Sequence, residues 1–100
     1  MTVLVSVATI APEHVADVEE AGRRLFAAVG AAAPTGFRYA VCRLPDGTYL
    51  TLLEVPDSGN PLSALPEYHQ FLAGLKGWLA APTTGGPATV IGSYRLFDAA

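Results

Sequence analysis

Cysteine is nearly absent from this chain of 100 residues. Cys42 stands alone, which excludes an intrachain disulfide and any metal site built on several thiolates. A lone thiol also suits a reducing compartment. Charge is scarce as well: 15% of the residues are charged, against roughly 25% in an ordinary soluble domain, so the chain has little with which to wet its own surface. With 51% hydrophobic residues, it is expected to bury surface beyond the core of one copy. The six basic residues are scattered and the net charge is −3, which argues against a nucleic-acid partner, since phosphate neutralisation needs clustered Lys and Arg. Only Arg23 and Arg24 are adjacent, and on a helix such a pair reads as a solvated face. No apolar run is long enough for a bilayer: Leu25 to Ala33 falls short of the roughly 20 residues a spanning helix needs. The opening Met1-Thr2-Val3-Leu4-Val5 lacks the basic region and small-residue cleavage pattern of a secretory signal, so a cytoplasmic location is expected. There is no internal repeat, and the length predicts one domain over residues 1–100 with a thin core.

What the chain does have is an ordered series of segments. Thr2 to Thr9 reads as a strand whose two faces, Val3, Val5, Val7 and Leu4, Ser6, Ala8, are both mostly apolar, as in a sheet covered on both sides. Pro12 and a run of acids, Glu13, Asp17, Glu19 and Glu20, open a helix. Val15, Val18, Gly22, Leu25 and Val29 form its inward stripe, with Gly22 expected to permit a close approach, and Gly30 and Pro34 supply the stop. Gly36 to Val55 reads as a hairpin closed by Leu44-Pro45-Asp46-Gly47-Thr48, a type I turn with a glycine bulge. That turn sets Arg38 opposite Glu54, Tyr39 opposite Leu53, Val41 opposite Thr51 and Phe37 opposite Val55. A two-residue Asp-Gly turn is the rival register. Pro56 to Pro61 is an exposed loop. Pro66 opens a second helix through about Ala80, with Tyr68, Leu72, Leu75 and Leu79 inward, Phe71 and Trp78 on one flank, and His69 and Lys76 toward the other. Ala88 to Phe97 is the expected final strand.

The order strand, helix, strand, strand, helix, strand is the ferredoxin-like split βαβ arrangement of an α+β domain, a four-stranded antiparallel sheet with two helices on one face. Two helices cover only that one face, yet the strands are apolar on both. Exposing the second face would leave an apolar patch larger than soluble monomers usually carry, so a homodimer through sheet faces is expected.

The segment order, the length and the second-helix region Ala64-Leu65-Pro66-Glu67-Tyr68-His69-Gln70-Phe71-Leu72-Ala73-Gly74-Leu75 resemble the dimeric α/β-barrel superfamily, specifically the antibiotic biosynthesis monooxygenase-like proteins. The resemblance spans nearly the whole chain. It implies a dimeric α/β barrel with helices outside and a ligand cleft between sheet and helices. Several members of that family oxidise polycyclic phenols with oxygen and without metal or flavin, and others degrade haem. The haem-degrading pattern, an Asn on the first strand followed by a Trp and a His in the second-helix region, is broken here: the first strand offers Ser6, and no His follows Trp78.

Oxidation of phenols without a cofactor asks for a dry aromatic pocket, a base and a donor to steady an oxyanion. His69 is the candidate base, because imidazole titrates near neutrality. Tyr68, Phe71 and Trp78 are candidates for an aromatic wall around an apolar or aromatic small molecule, and Tyr39 for a hydroxyl reaching it. Each has a plainer reading, His69 as a surface residue and the aromatics as core. Cys42, mid-strand, reads as a small buried apolar residue. Glu19 and Glu20 point about 100° apart on a helix and share no proton. Gly85-Gly86 precedes neither a helix nor a Lys and makes no phosphate cradle. No cofactor and no metal are implied. The expectation is a small monooxygenase-like protein acting on an aromatic or quinol-like molecule, and its rival is a non-catalytic ligand-binding or dimeric interaction module.

Overall fold

The structure is a computed structural model that describes residues 2–96. Strand β1 (Thr2–Thr9) is followed by a short 3-10 turn at Pro12–His14 and helix α1 (Val15–Ala32). The hairpin β2 (Arg38–Arg43) and β3 (Thr48–Val55) comes next, then a 3-10 turn at Pro61–Ala64, helix α2 (Pro66–Trp78) and β4 (Thr84–Ala88). The four strands form one antiparallel sheet in the order β2-β3-β1-β4. This is the ferredoxin-like split βαβ fold.

The hairpin adopts the bulged turn. Leu44 N–H donates to the Thr48 carbonyl at 2.7 Å, Gly47 N–H donates to the Leu44 carbonyl at 3.0 Å, and Gly47 takes a left-handed φ of 87°. Asp46 Oδ1 accepts from Thr48 N–H at 2.9 Å, and that bond holds the Asp46 carboxyl below its ordinary range. Arg38 therefore pairs with Glu54, Tyr39 with Leu53 and Val41 with Thr51. The Arg38 Nε stands 3.3 Å from the Glu54 carboxylate.

Both helices pack on the face that carries Leu4 and Ala8 from β1, Tyr39 and Val41 from β2, and Tyr49, Leu53 and Val55 from β3. One cluster there gathers Leu25, Leu53, Val55 and Leu62, and a second gathers Ile10, Val18 and Tyr49. Phe71 touches both. The opposite face carries Val3 and Glu54, both buried, Val5, Val7, Leu50 and Leu52, all half-buried, and Ala40 and Cys42, both exposed. Cys42 is thus not the buried residue its apolar neighbours suggest, because α1 and α2 both stand over the other side of the sheet.

Several boundaries and faces depart from expectation. Helix α1 runs through Gly30, and its cap is Ala33 in a left-handed conformation, φ 45°, bonded back to the Val29 carbonyl. Pro34, which lacks an N–H, then ends it. Gly22 is not a point of close approach: nothing stands within 4 Å of where its Cβ would be. In α2 Phe71 packs into the core, while Leu72 borders the cavity under the helix but stays exposed at its rim; the helix ends at Trp78, after which Leu79 turns extended and bridges Ile10. Finally, β4 lies at Thr84–Ala88 rather than at 88–97. Its register places Gly85 opposite Ser6 and Ala88 opposite Val3, so β1 has almost no backbone left for a continuing strand. A Cβ at Gly85 would collide with the Val5 carbonyl oxygen, so only glycine allows this pairing. Beyond β4 the segment with Val90, Ile91, Tyr94 and Leu96 projects apolar side chains into solvent, Ile91 fully. Phe97 lies outside the described residues.

Candidate active site

The alternation of β1 and β3 puts Leu4, Ser6, Thr51 and Leu53 on the helix-covered face beside β4. Helix α2 crosses above them, and its spacing brings Tyr68, Phe71, Leu72 and Leu75 to the same side. Between the two lies a cavity of about 360 Å³, also bounded by Tyr39, Leu62 and the Thr83–Gly86 backbone. Its walls are mainly aliphatic and aromatic. The polar groups in them are hydroxyls: Ser6, Tyr39, Thr51, Tyr68, Thr83 and Thr84. No His, Asp, Glu, Lys or Arg lines it among the described residues.

Tyr39 is the best-placed polar group. Its ring stacks on Phe26 of α1, with centroids 4.7 Å apart and planes 18° from parallel, and Phe37 packs beside it at 5.9 Å. Two aromatic neighbours hold the phenol in one orientation over the core. Burial, and then the neighbouring Tyr68, push its hydroxyl up to about 12. Across the physiological range it is a neutral donor, suited to steadying an oxygen that carries negative charge.

The residues singled out from sequence divide into two groups. Tyr39, Tyr68 and Phe71 meet at the cavity. Trp78 does not line it: the indole folds back over Gly74, where a Cβ would collide with the ring, and packs with Ile10, Val18 and Tyr49. His69 is exposed, with Nε2 2.8 Å from the Ser63 carbonyl oxygen and its ring edge-on to Tyr68 at 5.9 Å. The carbonyl can only accept, so Nε2–H is the donor. Ser6 and Thr51 line the cavity although sequence reading did not single them out. Their signal was the alternation of β1 and β3, in which each shares a face with apolar core residues.

No protein-family model matches the sequence, and no curated protein matches it. Solved structures do match in shape. A Caulobacter crescentus protein assigned as an antibiotic biosynthesis monooxygenase superposes with a TM-score of 0.74 at 19% identity, covering 91% of this chain and 90% of that one. A single-residue variant of SnoaB, a cofactor-independent oxygenase from Streptomyces nogalater, superposes with a TM-score of 0.66 at 20% identity over 94% of this chain and 96% of that one. A conserved protein from Methanosarcina mazei gives 0.67 at 17% identity, with 87% and 89% covered. At these identities the likeness concerns fold. The chain has the ferredoxin-like fold of the antibiotic biosynthesis monooxygenase-like structures.

Proposed function

We propose that the cavity under α2 takes a flat phenol or quinol and that the protein oxidises it with molecular oxygen, without metal or flavin. The observation that carries this reading is Tyr39: a phenol held protonated in the wall of a mainly apolar cavity large enough for an aromatic ligand. The likeness in fold to a cofactor-independent oxygenase supports it. In the proposed reaction the bound substrate loses a phenolic proton to solvent, and its electron-rich ring passes electrons to oxygen. A ring C–H para to the phenolic oxygen becomes a carbonyl with one oxygen atom of O₂, and its hydrogen and the phenolic proton leave with the other as water, so the phenol becomes a quinone and the four electrons it loses match the four gained by O₂. Tyr39, aided by Tyr68, donates to the phenolate oxygen while this charge is present. His69 stands outside the cavity, so deprotonation falls to the substrate's own acidity.

The protein acts as a cytoplasmic homodimer in this reading. Support for the dimer comes from the uncovered sheet face with Val5, Val7, Leu50 and Leu52, and from the apolar side chains exposed after β4. No helix among the described residues is long and apolar enough to cross a membrane.

Oxygen uptake across a panel of phenols, quinols and anthrones tests the activity. Turnover with a substrate of this class, falling roughly tenfold or more in Tyr39→Phe and unchanged in His69→Ala, is the expected result. A competing reading, a non-catalytic binding module, is favoured by the lack of any carboxylate or imidazole in the cavity wall among the described residues. Saturable ligand binding with no oxygen uptake across the panel would establish that module instead.

A further inference from the structure

The geometry points to a second small-molecule site, a groove between α1 and the edge strand β2 that takes a neutral hydroxy-aromatic compound. The groove encloses about 330 Å³. It lies on the helix side of the sheet, so pairing through the opposite face leaves it open. Val18, Val41 and Phe26 provide apolar walls, which suits a flat ring of one or two cycles.

One end is polar and already organised. Tyr49 is buried, and its hydroxyl donates to Glu19 Oε2 at 2.8 Å. Arg43 Nη1 donates to the same oxygen. Desolvation, and then the bond to Glu19, raise the Tyr49 hydroxyl above its ordinary value, so it remains a donor. Both donors share Oε2, which leaves Glu19 Oε1 to accept from a ligand and the outer N–H groups of Arg43 to donate to one. A carboxylate and a guanidinium side by side cancel in charge, and Arg23, at the rim, is 2.9 Å from Glu20. The end therefore suits a neutral molecule with adjacent hydrogen-bond donor and acceptor, a catechol or an ortho-hydroxy aryl ketone, rather than an anion.

Gly22 supplies an independent argument. It sits mid-way along α1, where glycine costs a helix roughly 0.5–1 kcal/mol relative to alanine. No neighbour obliges it to be glycine, since the space before it is empty and is the groove itself. A side chain there would occupy the ring's place.

The site is separate from the cavity under α2, with Tyr39 and Phe71 as the shared partition. Titration of the protein with 2,3-dihydroxynaphthalene, followed by amide NMR and calorimetry, tests it. Expected are shifts centred on Gly22, Val41 and Arg43, with affinity reduced roughly tenfold by Gly22→Leu and severalfold by Glu19→Gln, each confirmed folded by its amide dispersion. Shifts confined to Ser6, Leu75 and Gly85 would place the probe in the other cavity and overturn the proposal. So would an affinity unchanged in Glu19→Gln, a reading that stands even where Gly22→Leu does not fold. Loss of oxygen uptake in Tyr39→Phe with this binding intact would separate the two sites.

Discussion

The two faces of the sheet are alike in composition and unlike in fate. Val5, Val7, Leu50 and Leu52 are as apolar as Leu4, Tyr49, Leu53 and Val55, yet the first set is half-buried while three of the second are buried under helices. An apolar strand pattern states that a face is to be covered; it does not name what covers it. On one side the answer is in the same chain, at Leu25, Phe71 and Leu62. On the other, Val3 and Glu54 are buried at one end, while Val5, Val7, Leu50 and Leu52 stay half-buried among the described residues.

That contrast breaks most sharply at Leu25, which is 0% exposed against Leu53 and Val55. Leu25→Ala should cost about 3–4 kcal/mol, a cavity-forming loss visible as a midpoint lowered in urea unfolding with an unchanged slope. On the opposite face, Leu52→Glu should leave the fold of a single copy intact but weaken self-association roughly a hundredfold, read as a shift from dimer to monomer in light scattering at micromolar concentration. A wild-type protein that is monomeric there would remove the proposed cover.

Tyr39 sharpens the contrast through pH. Its folded pKa is raised to about 12, above the unfolded value near 10. The stability it confers is therefore fully present below about pH 10 and is lost as pH rises toward 12, by on the order of 2 kcal/mol. Alkaline unfolding of Tyr39→Phe should lack that part of the slope. The smallest effect belongs to Leu72, exposed on the rim of α2, where Leu72→Ala should change stability by less than about 1 kcal/mol. A larger loss would show that a partner covers this rim as well.

Much of the fold was legible because local rules and tertiary demands agree. The Pro45-Asp46-Gly47 turn has one comfortable bulged geometry, and the register follows from it, down to Arg38 against Glu54. Helix α1 was legible from its acids, its stripe and Pro34. The end of β4 was not, because Val90, Ile91 and Leu96 have strand-like residue types while pairing also needs a neighbouring backbone, and the register on β1 exhausts it at Val3. Phe71 and Leu72 differ by one position on a helix, and only the sheet beneath decides which is packed into the core and which stays at the cavity rim.

The candidate site divides the same way. Residue type pointed to Tyr39, Tyr68, Phe71, Trp78 and His69 as groups able to bind or react. Three of them converge, while Trp78 turns back on Gly74 and His69 reaches the Ser63 carbonyl. The association of Glu19, Arg43 and Tyr49 had no sequence signal, since these residues stand 24 and 30 positions apart from Glu19 on three elements. By itself, then, the sequence determined element order, hairpin register and an excess of apolar surface, because turn geometry and side-chain period act over a few residues. Which side chains share a cavity, and which glycine opens a groove, was decided by the crossing of α1 and α2 over the sheet. Such convergence depends on angles and distances between elements that no local pattern encodes.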